Sequence, residues 1–371
     1  MQWQAEMVQV PAPPFGERPR AEWLCEKFRE LGLGDVHIDE AGNAIAGRPG
    51  IARGARSVLL SAHIDTVFPA GTAIEADLKG SRLSAPGACD NGAGVAAMLA
   101  VAAAIAQTGF ETPCDLVFAG NVGEEGEGDL RGIRHLYRDA ARARETTAAH
   151  IVIDGAGHES AVTHALGSQR YLVTVTGPGG HSWTDTGRPN PIVILSRAIQ
   201  HFSAIALPDI PRTTVNVGTM EGGTAVNAIP ERASARFDLR STDPEQLIRL
   251  EVELHRAVED AVIAARGRAT GPDTPGFAIE MIGDRPAGRL PADSELMTLL
   301  EAVDRHLAIR TEKRLASTDA NIPLALGIPA ISIGGGGTGG GIHTHAEWYD
   351  GSGRDLGLRR ILLLLLAAAG G

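Results

Sequence analysis

Short apolar runs that stop at histidines or acids constrain this chain most. SVLLSAHIDTV (57–67) passes from a Leu/Val run into His63 and Asp65. CDLVFAGNVGEE (114–125) ends in Glu124 and Glu125, and HIVIDG (150–155) ends in Asp154. IPAISIGG (328–335) runs into a glycine-rich loop and then IHTHAEW, which carries His343 and His345. Runs of this length, rich in β-branched residues, predict buried strands. Between the first two lies GVAAMLAVAAAIAQTG (94–109), apolar nearly all round and closed by Gly109, which predicts a buried helix. AEWLCEKFRELGLG (21–34) has helical spacing and also ends on glycine. Strand–helix alternation predicts a mostly parallel α/β sheet flanked by helices. Ligands of such sheets sit beyond the carboxyl ends of the strands, where these polar residues fall.

The pattern changes near residue 168. RYLVTVTG (170–177), TTVNVGTMEGG (213–223) and ERASARFDLRS (231–241) alternate like half-exposed antiparallel strands, and GFAIEMIG (276–283) closes the set. NPIVILSRAIQHFSAI (190–205) predicts a helix. So does 243–267, with Asp243 as cap and Pro244 at the first turn. The order β-α-β-β-α-β predicts an inserted α+β domain. The expected division is 1–167 with 284–371 for the α/β domain, and 168–283 for the insertion. SELMTLLEAVDRHLA (294–308) and the apolar 361–369 predict two more helices, the second closing a buried layer.

The formal net charge of −11 argues against nucleic-acid or anionic-membrane partners, which select basic surfaces. Three cysteines without C-x-x-C indicate neither a disulfide framework nor a thiolate zinc site, and fit a reducing, cytoplasmic setting. No basic-then-apolar leader opens the chain, so no signal peptide is expected. The apolar run 361–369 has nine residues, against the roughly 20 that span a bilayer. GGGGTGGG (334–341) lacks the Gly-Lys-Ser/Thr of a phosphate loop and is read as a close-approach backbone loop. No G-x-S-x-G is present, so a nucleophile-elbow serine hydrolase has no support.

Each candidate has an ordinary reading taken singly. His63 and Asp65 form a structural pair as readily as a ligand with its orienting acid. Asp90-Asn91, before the Ala-rich helix, also suits an N-cap. Adjacent acids at a strand end, Glu124-Glu125, are costly unless solvated or metal-bound. Together, imidazole and carboxylate donors at five strand ends suit zinc, with manganese or cobalt possible. Two ions about 3.5–4 Å apart could share a carboxylate and a water.

These residues resemble a known family: the co-catalytic dizinc hydrolases that include tripeptidase (peptidase T), glutamate carboxypeptidase, acetylornithine deacetylase and succinyl-diaminopimelate desuccinylase. SAHIDTV, ACDNGAG, GEEG, VIDG, GPGGHSW, GGTAVNAIPERASARFDLR and IHTHAEW carry the resemblance, in order, across nearly the whole chain. It implies that His63 and Asp154 bind the first zinc, with Asp65 behind His63. It implies that Asp90 bridges, that Glu125 and His343 bind the second zinc, and that Glu124 is the general base. His343 is preferred to His345 because the family's histidine precedes a glutamate by four residues, here Glu347. Two features depart from the pattern: Asp90-Asn91-Gly92 replaces the usual Asp-Asp or Asp-x-Lys, and GEEGEGDLRG is unusually acidic.

The resemblance further implies that the insertion is a lid and dimerisation domain. There His181 would stabilise the oxyanion, and Asn227 and Arg240 would position substrate, Arg240 through a carboxylate. The expected assembly is a homodimer completed in trans by His181, with hinges near 168 and 284. The expected function is metal-dependent cleavage of an amide in a short peptide, as a tripeptidase- or aminopeptidase-like exopeptidase. In the resembling family, aspartate at position 154 goes mostly with aminopeptidases. The alternatives are an N-acyl-amino-acid deacylase or carboxypeptidase, and, further off, a binding protein without turnover.

Overall fold

A computed structural model describes every residue except 53, 55, 270–273 and 371. The chain divides into two compact units, Met1–Ala165 with Gly288–Gly371, and Leu166–Ala287. The second unit starts two residues before and ends four residues after the insertion expected at 168–283. Its first and last strands in the sequence, Gly167–Thr176 and Gly276–Arg285, run nearly to those limits.

The first unit is built on a nine-stranded sheet. Its centre is parallel: Ser57–His63 lies between Asp115–Asn121 and Thr147–Ile153, and Ala330–Ile333 follows on the far side of the latter. The margins turn antiparallel, through Ala44–Arg48 with Gly34–Ile38 at one side and Ser160–Ala165 at the other. Six of the seven residues of Ser57–His63 are buried, as a parallel strand covered on both faces requires. The Ala-rich helix is Gly92–Thr108, capped by the Asn91 side chain and ended by Gly109 at φ +63°. The closing helix is Arg354–Ala368, with Ile361, Leu364 and Leu365 fully buried. Its Arg360 is also fully buried and is bonded to both oxygens of Asp304, at 2.7 and 2.9 Å.

A second, small antiparallel sheet was not evident in the sequence. It joins Thr338–Gly340, Trp348–Asp350, Arg82–Ser84 and Asp77–Lys79. This ribbon binds the chain before Asp90 to the chain around His343. The glycine-rich loop is a close-approach loop. A Cβ on Gly336 would lie 2.5 Å from the Arg354 carbonyl oxygen, and one on Gly337 2.5 Å from that of Asp350.

The second unit has a four-stranded antiparallel sheet ordered Thr213–Gly222, Arg232–Ser241, Gly167–Thr176, Gly276–Arg285. Helices Pro191–Ser203 and Pro244–Arg266 pack against it around Val173, Leu195, Phe202, Phe237 and Leu254. Apart from the two-residue strands Gly180–His181 and Ala228–Ile229, chain order is β-α-β-β-α-β. Asn190 and Asp243 cap the two helices, each followed by proline at the first turn.

Candidate active site

The parallel strands deliver their polar ends to one place. His63 ends its strand directly opposite Asn121, which ends the next, so Glu124 and Glu125 emerge beside it. Asp154 follows Ile153, and its backbone N–H is held by the Ile333 carbonyl at 2.9 Å. His63 Nε2 lies 3.0 Å from Asp90 Oδ1 and 3.8 Å from Asp154 Oδ1. His343 Nε2 lies 3.0 Å from Asp90 Oδ2 and 3.0 Å from Glu125 Oε1. One carboxylate, Asp90, thus turns one oxygen to each of two histidine–acid groups. Glu124, His63 and Glu125 form a third close group.

The backbone around these donors is secured from behind. Asp65 is fully buried and accepts the N–H groups of Glu124 and Glu125 at 3.0 and 2.8 Å. Its Oδ1 stands 3.6 Å from His63 Nδ1, on the ring edge away from Asp90. Arg20, also fully buried, donates to the Val10 and Ile64 carbonyls. Burial draws its pKa down to about 10, and the Asp65 charge opposes that. Asn91 Oδ1 accepts from Gly94 and Gly155, and its amide donates to Ile153. Asp90 thus joins the acid–histidine cluster, while Asn91 caps the helix.

Glu347 explains the four-residue spacing after His343. It is 1% exposed and takes no place in the donor clusters. Its Oε1 accepts the N–H groups of Cys89 and Asp90, and its Oε2 that of Gly87, each at 2.8 Å. One carboxylate on the His343 segment thus fixes the loop that presents Asp90. His343 itself has φ +64° and is half exposed, while the His345 ring packs tilted against Phe68 at 5.5 Å between ring centroids.

Electrostatics show a site overfilled with acid. Burial pushes Glu125 up to about 7, and the Asp90 and Asp65 charges add to this against the two histidines. Asp90 is driven far below the carboxylate range: burial opposes this, but bonds to His343 and His63 prevail. Burial lowers His63, yet Asp154, Asp65 and Asp90 raise it well above an ordinary imidazole. His343 rises to about 9, chiefly through its bond to Asp90. Such clustering of buried carboxylates and imidazoles is stabilised by cations, and the nitrogen and oxygen donors suit zinc, manganese or cobalt. The residues present therefore fit two divalent ions sharing Asp90.

Two neighbours, Asp319 and Arg20, were not singled out by the sequence. Asp319 is 1% exposed and bonded to the Asn121 amide at 2.7 Å; burial pushes it up to about 7. A Ser-Thr-Asp turn after a short polar strand was the one available hint. Arg20 had none.

The second unit brings His181 and Asn227 together. Gly180–His181 pairs with Ala228–Ile229, and Ser182 N–H donates to the Asn227 carbonyl at 3.0 Å. Arg240 is elsewhere. It lies eight residues along the strand from Arg232, so about 26 Å away at 3.3 Å per residue. There its Nε is 2.7 Å from Asp238 Oδ2.

Residues 59–366 match Peptidase family M20/M25/M40. The chain is 25% identical over 351 residues to the Bacillus subtilis protein YqjE, covering 88% of this chain and 87% of that one. It is 29% identical over 208 residues to a Sordaria macrospora Peptidase M20 domain-containing protein, covering 49% of this chain and 44% of the relative. Among solved structures, a Staphylococcus aureus tripeptidase superposes with TM-score 0.79 at 23% identity, covering 100% of this chain and 98% of that one. A Bacillus subtilis dinuclear metal binding peptidase from the M20 family does so with TM-score 0.70 at 15% identity, covering 100% and 97%. No helix among the described residues is long and apolar enough to cross a membrane. With the family matched over most of its length and an acid–histidine cluster at the carboxyl ends of its strands, the chain belongs to Peptidase family M20/M25/M40 and is an enzyme.

Proposed function

We propose that this protein is a two-metal exopeptidase that hydrolyses an amide bond in short peptides. The observation that carries the reading is Asp90, with one oxygen 3.0 Å from His63 Nε2 and the other 3.0 Å from His343 Nε2. His63, Asp90 and Asp154 would hold one ion, and Asp90, Glu125 and His343 the other. When bound, the ions supply Lewis acidity to the scissile carbonyl and to a water, zinc being the family's usual metal.

The protein's own residues then act as follows. Glu124 takes the proton of the attacking water and later delivers it to the leaving amine. Asp65 orients His63 from its Nδ1 edge and pins the Glu124 backbone. His181 donates a hydrogen bond to the oxyanion. Asn227 positions substrate beside it, and Arg240 receives the substrate carboxylate. Asn227, with His181 beside it, precedes the Arg232 end of the strand Arg232–Ser241, and Arg240 lies near its other end. A single sheet of this length serves one site poorly from both ends, but a two-fold pair of chains lets each lid serve two sites. The assembly is therefore read as a homodimer with His181 acting in trans.

Aspartate at 154, together with the tripeptidase likeness in fold, favours peptides over N-acyl amino acids. A panel of di- and tripeptides and N-acyl amino acids, assayed after zinc or manganese loading, tests this. Release of the amino-terminal residue is the expected result. Turnover of N-acyl amino acids alone would make the enzyme a deacylase. No metal uptake and no turnover would leave a binding protein.

A further inference from the structure

His181 stands on a turn whose polar contacts close largely within itself. Its Nδ1 is 3.2 Å from the backbone N–H of Trp183. A backbone N–H can only donate, so Nδ1 accepts, and the proton of the neutral ring resides on Nε2. That is the tautomer an oxyanion donor needs. The turn that brings Trp183 back to the ring is held by Asp185. Its Oδ2 accepts the backbone N–H of His181 at 2.8 Å, and its own N–H donates to the His181 carbonyl at 3.0 Å. Its Oδ1 lies 3.2 Å from Arg188 Nη2, and Arg188 Nη1 donates to the Gly179 carbonyl at 3.1 Å. The backbone at residue 180 favours glycine, and the carboxylate packs against it. At φ +146°, a Cβ there would stand 2.8 Å from Asp185 Oδ2.

We infer that Asp185 is a positioning residue, which closes the 179–188 turn and thereby keeps His181 as an Nε2–H donor. The inference rests on the reading of His181 as the oxyanion donor. Asp185 touches no reacting atom. It acts through the His181 main chain and through the Trp183 N–H that the turn returns to the ring.

Removing the carboxylate takes away the acceptor of the His181 N–H and one of the partners of Arg188. The ring then loses its Nδ1 partner and is no longer confined to one tautomer. Losing one oxyanion donor outright costs about 10²–10³ in kcat, so partial misplacement is expected to cost about 10–100-fold. Substrate binding by other residues continues, so KM stays within about twofold. Asp185→Asn keeps an oxygen that can accept the His181 N–H, and is expected to restore most of the rate.

The experiment compares Asp185→Ala, Asp185→Asn and His181→Ala in the metal-loaded full chain. It measures kcat and KM, and reads the His181 ring nitrogens by 15N NMR. The expected result is a kcat loss in Asp185→Ala, rescue in Asp185→Asn, and ring-nitrogen shifts that move toward a tautomer mixture in Asp185→Ala alone. If His181→Ala keeps full kcat, the oxyanion reading itself fails and the inference falls with it. If His181→Ala loses kcat while Asp185→Ala keeps it, His181 stands and the inference is overturned. A kcat loss with unmoved ring nitrogens, shared by Asp185→Asn, also overturns it, since the role is then structural only.

Discussion

His63 and His181 are held by opposite means. His63 is 1% exposed and ringed by three acids, and the loops around it are tied by residues far away in sequence. Glu347 reaches back to Gly87, Cys89 and Asp90, and Asp65 reaches forward to Glu124 and Glu125. His181 is exposed, and its turn is kept mostly by bonds to residues fewer than ten positions away. The buried end gathers like charges, which must be restrained by the whole fold. The exposed turn needs only one orientation of one ring. Substitution of the residues that tie the loops of the first region together should disturb stability and metal together, whereas substitution of those that hold the His181 turn should disturb rate alone.

The largest effect expected separates chemistry from metal binding within the buried end. Glu124→Gln should lower kcat by about 10²–10⁴ while metal content by elemental analysis stays unchanged. Loss of metal instead would exchange the roles of Glu124 and Glu125. Mixing these inactive chains with His181→Ala chains extends the test to the other region. If His181 acts in trans, one site of each mixed dimer holds both intact residues. About a quarter of wild-type activity then returns after random exchange. No recovery despite proven exchange would place His181 in its own chain's site.

A smaller effect tests the long-range anchoring. Glu347→Gln removes the charge that serves three backbone N–H groups, and its amide turns a donor toward them. The metal-free protein should lose about 2–3 kcal/mol of stability in denaturant, and metal affinity should fall about 10–100-fold. An unchanged unfolding midpoint would mean that the Asp90 loop is held by its own hydrogen bonds. The contrast with the His181 turn would then collapse.

What could be read from the chain follows from the range of each interaction. The runs at 57–67, 114–125 and 150–155 declared themselves because a buried parallel strand is apolar along its length. The helices 92–108 and 244–266 were legible through caps and terminal glycine or proline. The ribbon of Asp77–Lys79, Arg82–Ser84, Thr338–Gly340 and Trp348–Asp350 was not, because three residues carry no period and their pairing is tertiary. Glu347 appeared as a spacing mark, and its work became visible only with the three N–H groups it accepts. Arg20 and Asp319 are buried ionisable residues, whose partners lie in other segments. Asn227 and Arg240 stood near each other in one motif, yet an extended strand carries them far apart.

The smallest effect addresses the exposed region at the point where the His181 turn meets its helix. Asn190 Oδ1 accepts from Ile192 and Val193 at 3.0 and 3.3 Å, with Pro191 between. Replacing such a cap with alanine typically costs about 1 kcal/mol. The turn's own bonds, from Asp185 to His181 and from Arg188 to Gly179, do not involve Asn190. Asn190→Ala should therefore lower the denaturation midpoint by that amount and leave kcat and metal content unchanged. Asn190→Asp, which keeps an acceptor for the same N–H groups, should be near neutral. A loss above about 2 kcal/mol, or a fall in kcat, would show that the turn draws its order from the helix behind it. The local character assigned to the His181 region would then be wrong, and its contrast with the His63 end would become one of degree.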